Sequence, residues 1–549
     1  MFMLLNKAKD PAFWEKVRRS DAYKPLVLEL HDLWEKECAG DFPALKYSEY
    51  ILYDQTGSRK EYEAKYFRRR RAMNTAALLS LIYPDNDIYF TKLCDVIWAI
   101  LDEYSWVVPA HIGNFRDNTV AFIDLFAAET GFALSEIDYM LQDRLPPLIR
   151  SRIRAEIDRR IIAAYTGEKR YWWEKSPYNW SAVCAGSVGI TFLYQRPDLF
   201  EYIRPRMGET LRIFLTGFPE DGICQEGFAY WHYGFGFFLC IADMMREFTG
   251  GETDYLANPK IREIIKYPQR MFLDGDTVVS FSDGQLRGKW HIGLLHYLKK
   301  RFPDDIHLPP RDLFYTNDHC GRWGIHLRAF LWFDETLESE DEKRESTDYA
   351  PASQWLIKKT PRYSFAAKGG HNDEPHNHND IGSFIISRNG EQVLCDPGSG
   401  KYCREYFSPQ RYTFFHTCSR GHSVPIIDGQ YQKEGRNHSA DASFENGVFT
   451  VEFHRAYDIP SLEHLRRTFS FAEDTVTLQD EYGFSGEPLP IVERFISRHP
   501  AEITPAGVVT GGVLLETETE AKVTEENGLF CIDYILPPGS NLFTLTVRI

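Results

Sequence analysis

GGHNDEPHNHNDIGSFIISRNGEQVL, residues 369–394, decides how the C-terminal part of the chain folds. Its second half, Phe384 to Leu394, is two short apolar runs around Asn389-Gly390. Asn-Gly supplies the positive φ angles of a tight turn, so the segment predicts a β-hairpin. Downstream, Glu445–Tyr457, Arg466–Tyr482, Gly528–Leu536 and Leu542–Ile549 continue in the same style, and strands at this spacing predict an antiparallel β-sandwich. Upstream the period changes. Asn74–Tyr83, Asp87–Glu103, Asn118–Gln142, Pro146–Tyr165, Ser181–Tyr194 and Phe235–Phe248 carry apolar residues at three- and four-residue spacing, the mark of amphipathic helices. The turn signals PDND (84–87) and GGET (250–253) separate them. The expected fold is α+β multidomain: an N-terminal (α/α) toroid or bundle of helix pairs over residues 1–337, a charged linker at 338–349, and an antiparallel β-sandwich over 350–549. The linker falls in LESEDEKRESTDY, which is almost free of apolar residues.

A chain of 549 residues is more than one core usually supports, in keeping with two domains. Its formal charge of -16 argues against nucleic acid as a general partner, while leaving room for a local basic cleft. An aromatic fraction of 15% suits either a large helical core or a carbohydrate cleft. No apolar stretch is long enough to span a membrane, so no membrane partner is expected. The ten cysteines are scattered without a CxxC pair, which reads as free thiols in a reducing compartment. With no export signal legible at the N-terminus, the expected location is cytoplasmic; a chain stripped of its signal would read the same.

The first half of the opening stretch carries chemistry. His371, His376 and His378 crowd together with Asp373 and Asp380 on the lip of a strand. Histidine is the side chain most easily moved across neutral pH and the commonest metal ligand. His376 and His378 are two apart, which on an extended strand points them to one face. Asp396, in LCDPGSGKY, follows the hairpin's returning strand, and His422, in RGHSVPIIDGQYQ, enters another apolar run. Two imidazoles and a carboxylate form a plausible Zn2+ set, with an open fourth position. His378, Asp396 and His422 are the candidate ligands; His416 could replace His422, and a bare hydrogen-bonded His–Asp pair is the alternative. In the helical part, SPYNWSAVCAGSVG places Asn179 and Trp180 at a helix start, where Asn is often only an N-cap. DGICQEGFAYWHYGFG holds Glu226, Tyr230, His232 and Tyr233; Tyr230 and Tyr233 would face one way on a helical turn.

Together YNW, DG…EGxxYWxYG and GGHN…HNHNDIGSF…DPGxGxY…GHSVPIIDGQ resemble the heparinase II/III-like family of polysaccharide lyases, in the right order from about Ser105 onward. The resemblance implies a toroid followed by a β-sandwich and β-elimination at a 4-linked uronic acid. By position it implies that Asn179 holds the substrate carboxylate, that Tyr230 is the catalytic tyrosine with Tyr233 as fallback, and that His376 is the catalytic histidine. It also implies a structural zinc on His378, Asp396 and His422, with Glu226 supporting the site. Some members carry a His directly after the Asn. This chain has Trp180 there, which leaves His232 and His111 (in VVPAHIGNF) as further substrate-cleft candidates. Arg404, Arg411 and Arg420 are candidate carriers of a local positive field.

In that chemistry Tyr230 serves as acid, base or both, and as base needs its pKa lowered from about 10. His376 is the second candidate base. The expected partner is a uronate-containing oligosaccharide or polysaccharide, with heparan sulfate, alginate and hyaluronan all open; a homodimer is left open too. Two other readings compete. A glycoside hydrolase would pair Glu226 with Asp221 or Asp124, and a non-catalytic carbohydrate-binding protein would keep the fold without turnover.

Overall fold

The computed structural model describes residues 5–38, 40–112, 122–340 and 345–549. Residues 118–121 of the expected helix Asn118–Gln142 and residues 341–344 of the expected linker lie outside this set. The fold class is the expected one, helices followed by antiparallel sheets. The chain forms two compact units, and they are not separated by one cut at 338–349. The first comprises Met1–Gly217, His232–Ile261 and Trp290–Glu340; the second comprises Phe218–Trp231, Arg262–Lys289 and Asp341–Ile549.

In the first unit, consecutive helices pack side by side across short connections. Lys60–Ile82 and Asp87–Leu101 meet around the PDND turn, where the Asn86 side chain accepts from the Ile88 amide and caps the second helix. Asn179–Gln195 packs against Leu125–Met140, Pro197–Thr216 and Gly236–Phe248. Its small residues permit that: a Cβ on Gly189 would lie 2.2 Å from Met207 Sδ. The expected helix from Pro146 to Tyr165 is Pro147–Ile157 running through a π turn, Asp158–Ile162, into Ala163–Thr166.

Two histidines are buried in this unit as neutral rings. His291 donates from Nε2 to the Thr316 carbonyl at 3.0 Å and accepts the Leu294 amide on Nδ1. Among the described residues neither nitrogen of His326 has a hydrogen-bond partner. Burial lowers both from the ordinary 6.5 to about 3. Between those values the unfolded chain binds protons that the folded unit refuses, so stability falls as pH falls through that window. Chemical denaturation followed by far-ultraviolet circular dichroism should therefore show the midpoint dropping from pH 6.5 to pH 4, and His326→Leu should flatten the drop. An unchanged slope in that variant would remove His326 as its source.

The second unit holds two large antiparallel sheets. One runs in the order 521–526, 529–535, 491–497, 391–394, 384–388, 364–368, 355–359, 346–350. The other runs 441–445, 448–452, 462–471, 475–484, 542–548, 513–516, 507–510, 501–504. Phe365 and Phe384 of the first sheet meet Phe469 of the second at 5.0 and 5.1 Å, inside a shared apolar core. The hairpin is as expected: Glu391 pairs with Arg388, and Asn389 and Gly390 have φ of 52° and 76°.

Two buried cations tie this core to the loops above it. Arg467, paired with Asp480 at 2.6 Å, donates to the carbonyls of Gly382 (2.9 Å) and Ser423 (2.6 Å), holding the segments that carry His378 and His422. Lys368 pairs with Asp380 (2.8 Å) and Glu374 (3.3 Å), which anchors the loop containing His376.

Candidate active site

The second unit gathers Glu226, Tyr230, His376, His378, Asp396, Arg411 and His422. Their organiser is Asp283, which no motif singled out. Its only sequence signal is an Asp-Gly turn dipeptide in FSDG. The Asp283 side chain is wholly buried and accepts on both oxygens. His376 Nδ1 (2.6 Å) and Tyr402 OH (3.2 Å) donate to Oδ2; His378 Nε2 (3.0 Å), Tyr406 OH (2.5 Å) and Arg411 (3.1 Å) donate to Oδ1. Burial alone would raise its pKa, but the donations from His376 and His378 hold it well below the usual carboxylate range.

His376 and His378 come together by another route than the one expected. Residues 373–383 form a loop rather than a strand, with His376 at φ 54°. The two imidazoles meet because both reach one carboxylate. With its Nδ1–H given to Asp283, His376 presents Nε2 as the acceptor, 3.8 Å from Glu226 Oε1. The Tyr230 ring stacks on this imidazole at 4.3 Å. An ionised carboxylate only accepts, so Tyr402 donates to Asp283 and receives the Tyr230 hydroxyl at 2.7 Å. Phenol and imidazole are thus linked through Tyr402 and Asp283. Burial and then the Asp283 charge push the Tyr230 phenol above its ordinary value, opposite to the lowering that a phenolate base needs.

His378, Asp396 and His422 form a buried group whose donor atoms lie within 4.8 Å of one another, a set able to hold a metal ion. Both rings commit Nε2–H elsewhere, His378 to Asp283 and His422 to the His416 carbonyl at 2.9 Å. That leaves Nδ1 of each ring as the atom turned toward the group, where a metal would take it as a lone-pair donor in place of any proton it carries. Among the described residues His378 Nδ1 is buried without a partner, and His422 Nδ1 donates to Asp396 Oδ2 at 3.0 Å. Metal-bound histidines ordinarily fix their second nitrogen in this way. His416 contributes its carbonyl; its ring is not in the group.

The remaining expected residues divide between the two units. Arg411 turns inward, donating to Asp283 and to the carbonyls of His376 (2.9 Å) and Asn377 (3.0 Å), so it braces the loop. Arg420 pairs with Glu526 at 3.2 Å. Arg404 directly precedes the turn Glu405–Phe407. Asn179, Trp180, His111, His232 and Tyr233 belong to the first unit. Asn179 is buried as the first helical residue, with Tyr178 at the cap, so it is not an N-cap. A Cβ on Gly234 would lie 3.0 Å from Asn179 Cα and Cβ, which explains why EGxxYWxYG ends in glycine. Tyr233 donates to Glu129 within the first unit, while Tyr230 belongs to the second; the residues from Trp231 to Phe235 form a π turn, which departs from the α-helical spacing. His232 is buried beside Trp290 and Tyr315. His111 and Trp180 are neighbours, ring centroids 4.7 Å apart.

Comparison with known proteins follows the same lines. Residues 347–487 match the family model described as heparinase II/III-like, C-terminal. A heparinase III crystal structure matches with a TM-score of 0.60 at 13% identity, over 98% of this chain and 93% of that one. The heparan sulfate lyase HepC of Pedobacter heparinus matches with a TM-score of 0.58 at 12% identity, over 98% and 92%. A chondroitin AC lyase of Streptomyces coelicolor A3 matches with a TM-score of 0.52 at 11% identity, over 98% and 82%. No curated protein sequence matches the chain. The resemblance read from the motifs is borne out, and at these identities the structural matches speak to the fold. Among the described residues no helix is long and apolar enough to cross a membrane.

Proposed function

We propose that this chain is a polysaccharide or oligosaccharide lyase that cleaves 4-linked uronate glycans by β-elimination. The observation that carries the reading is the stacked pair of Tyr230 and His376, a protonated phenol against an imidazole whose Nδ1–H is fixed by a buried carboxylate. That arrangement supports His376 as base and Tyr230 as acid. His376 Nε2 takes the C5 proton, the C5–H electrons form the C4–C5 double bond, the C4–O4 bond breaks, and O4 takes the Tyr230 proton. By the resemblance, Asn179 donates to the uronate carboxylate and stabilises the charge that develops on it. Glu226, beside Nε2, supports the imidazolium formed in the step. The printed names of the structural matches make glycosaminoglycans the first substrates to try. The hydrolase pairings lack support: Asp221 is taken up by the Ser353 amide and hydroxyl, and Asp124 by a helix cap and His111.

Incubation with heparan sulfate, chondroitin, hyaluronan and alginate oligosaccharides tests the reading through the ultraviolet absorbance of the unsaturated product. A rise establishes a lyase and names the substrate. New reducing ends without absorbance would mean hydrolysis, and binding without either would mean a carbohydrate-binding protein.

The metal group suits zinc, held by His378, Asp396 and His422. Bound zinc would supply structural cross-linking between the loops that bear these three residues. His378→Ala and His422→Ala should each abolish stoichiometric zinc by elemental analysis and lower Tm by about 5 °C or more. Unchanged zinc content in either variant would strike that residue from the ligand set.

A further inference from the structure

The first unit contains a cavity of about 120 Å³, and none of its described lining residues belongs to the Tyr230–His376 pair or to the metal group. Two helices supply walls through their turn spacing. On Lys24–Leu33, Pro25 and Glu29 lie one turn apart with Leu26 beside them; on Ile292–Arg301, Ile292 and His296 are likewise one turn apart. Leu308, Phe314 and Phe333 close an apolar lining in which Leu26, Ile292, Leu308 and Phe333 are buried. Hydrogen bonds hold these walls. His291 donates to the Thr316 carbonyl at 3.0 Å, the Glu340 amide donates to the Leu308 carbonyl at 2.8 Å, and Lys299 donates to the Pro303 and Ile306 carbonyls at 2.9 and 2.8 Å. Preformed apolar cavities of roughly 150 Å³ accept a benzene ring, so this one suits a single small ring.

Three donors border the apolar space. The Asp334 amide donates to His296 Nδ1 at 3.0 Å, which puts the proton of the neutral ring on Nε2, and among the described residues that N–H meets no acceptor. Burial lowers His296 from the ordinary 6.5 to about 4, so the ring stays neutral, and Phe333 stacks on it at 5.1 Å with 17° between planes. The Thr316 hydroxyl, in the same lining, is buried without a partner among the described residues. Arg311 is exposed at the rim, and among the described residues it forms no ion pair or hydrogen bond. Donors and an unpaired guanidinium beside an apolar enclosure match an anion with an apolar body. The body leaves water for the walls, and a carboxylate takes the fork of the guanidinium and the imidazole N–H. Glu29 also lines the cavity and makes an amine the competing ligand.

We propose that this cavity is a binding site for a small aromatic carboxylic acid of the size of benzoate, its ring among Leu26, Ile292 and Phe333 and its carboxylate on Arg311 and the His296 Nε2–H. The site stands apart from the lyase reading and does not rest on it. Saturation-transfer NMR titrations of the full chain with benzoate, benzamide, benzylamine and acetate test it. Benzoate should bind with a Kd of about 1 mM or tighter, and the other three at least about tenfold more weakly. Arg311→Gln should raise the benzoate Kd about tenfold and Arg311→Lys should restore part of the loss. Both variants should stay folded by circular dichroism, because Arg311 has no bond within the described residues to lose. Ala22→Phe, which puts a ring into the lining at a half-buried position, should abolish binding. No benzoate binding at about 10 mM overturns the proposal, as does an unchanged Kd in Arg311→Gln or Ala22→Phe. Benzamide or acetate binding as tightly as benzoate removes the carboxylate or the ring from the recognition and overturns it too. Benzylamine binding more tightly than benzoate assigns the cavity to amines through Glu29 and overturns the acid.

Discussion

Tyr230→Phe is expected to lower kcat for elimination by about 10³-fold or more while KM changes little, within the range general acid catalysis commonly supplies. The substitution removes one hydroxyl and keeps the ring, so the stack on His376 at 4.3 Å is preserved. What is lost is the proton intended for O4, which burial and the Asp283 charge keep on the phenol in the free enzyme. Melting temperature should stay near that of the parent chain, because the hydroxyl's partner, Tyr402, still has Asp283 to donate to. Near-normal turnover would sink the assignment and shift the acid to Tyr402, 2.7 Å away.

Asp283→Asn is expected to be nearly as severe, on the order of 10²–10⁴ in kcat, although Asp283 need not touch substrate. The carboxylate accepts from two imidazoles, two phenols and a guanidinium, and an amide of the same shape offers one accepting oxygen and a competing donor. The position of the proton on His376 is no longer dictated, and the tautomer carrying Nε2–H, which cannot take a proton, becomes populated. His378 loses the acceptor of its Nε2–H as well, so affinity for a metal at the His378, Asp396 and His422 group should fall. Nitrogen-15 chemical shifts of the histidines report the tautomer, and elemental analysis reports the metal. If kcat stays within tenfold and His376 keeps Nδ1–H, the carboxylate does not orient the base.

Much of the site was legible because its residues lie close together along the chain. His376, His378, Asp396 and His422 fall within one motif-rich stretch, and the hairpin at Asn389-Gly390 folds that stretch back on itself. Asn179 and Gly234 belong to separate motifs, yet both are small or polar residues at positions where side-chain type is constrained, and the two lie in contact. Asp283 was invisible for the opposite reason. A single Asp-Gly in an apolar run reads as a turn, and its partners begin 93 residues later.

The sequence by itself determined the order of helices and strands and the hairpin, and it named His378, Asp396 and His422, with His416 left open, as candidates for a group able to hold a metal, since periodicity, turn chemistry and donor type are local properties. Only the tertiary structure decided which unit each segment joins, that Trp231–Phe235 winds as a π turn, and which carboxylate orients His376 and His378. Those outcomes depend on partners distant in sequence. A buried carboxylate is tolerated only where enough donors converge on it, and that convergence exists only in the folded chain.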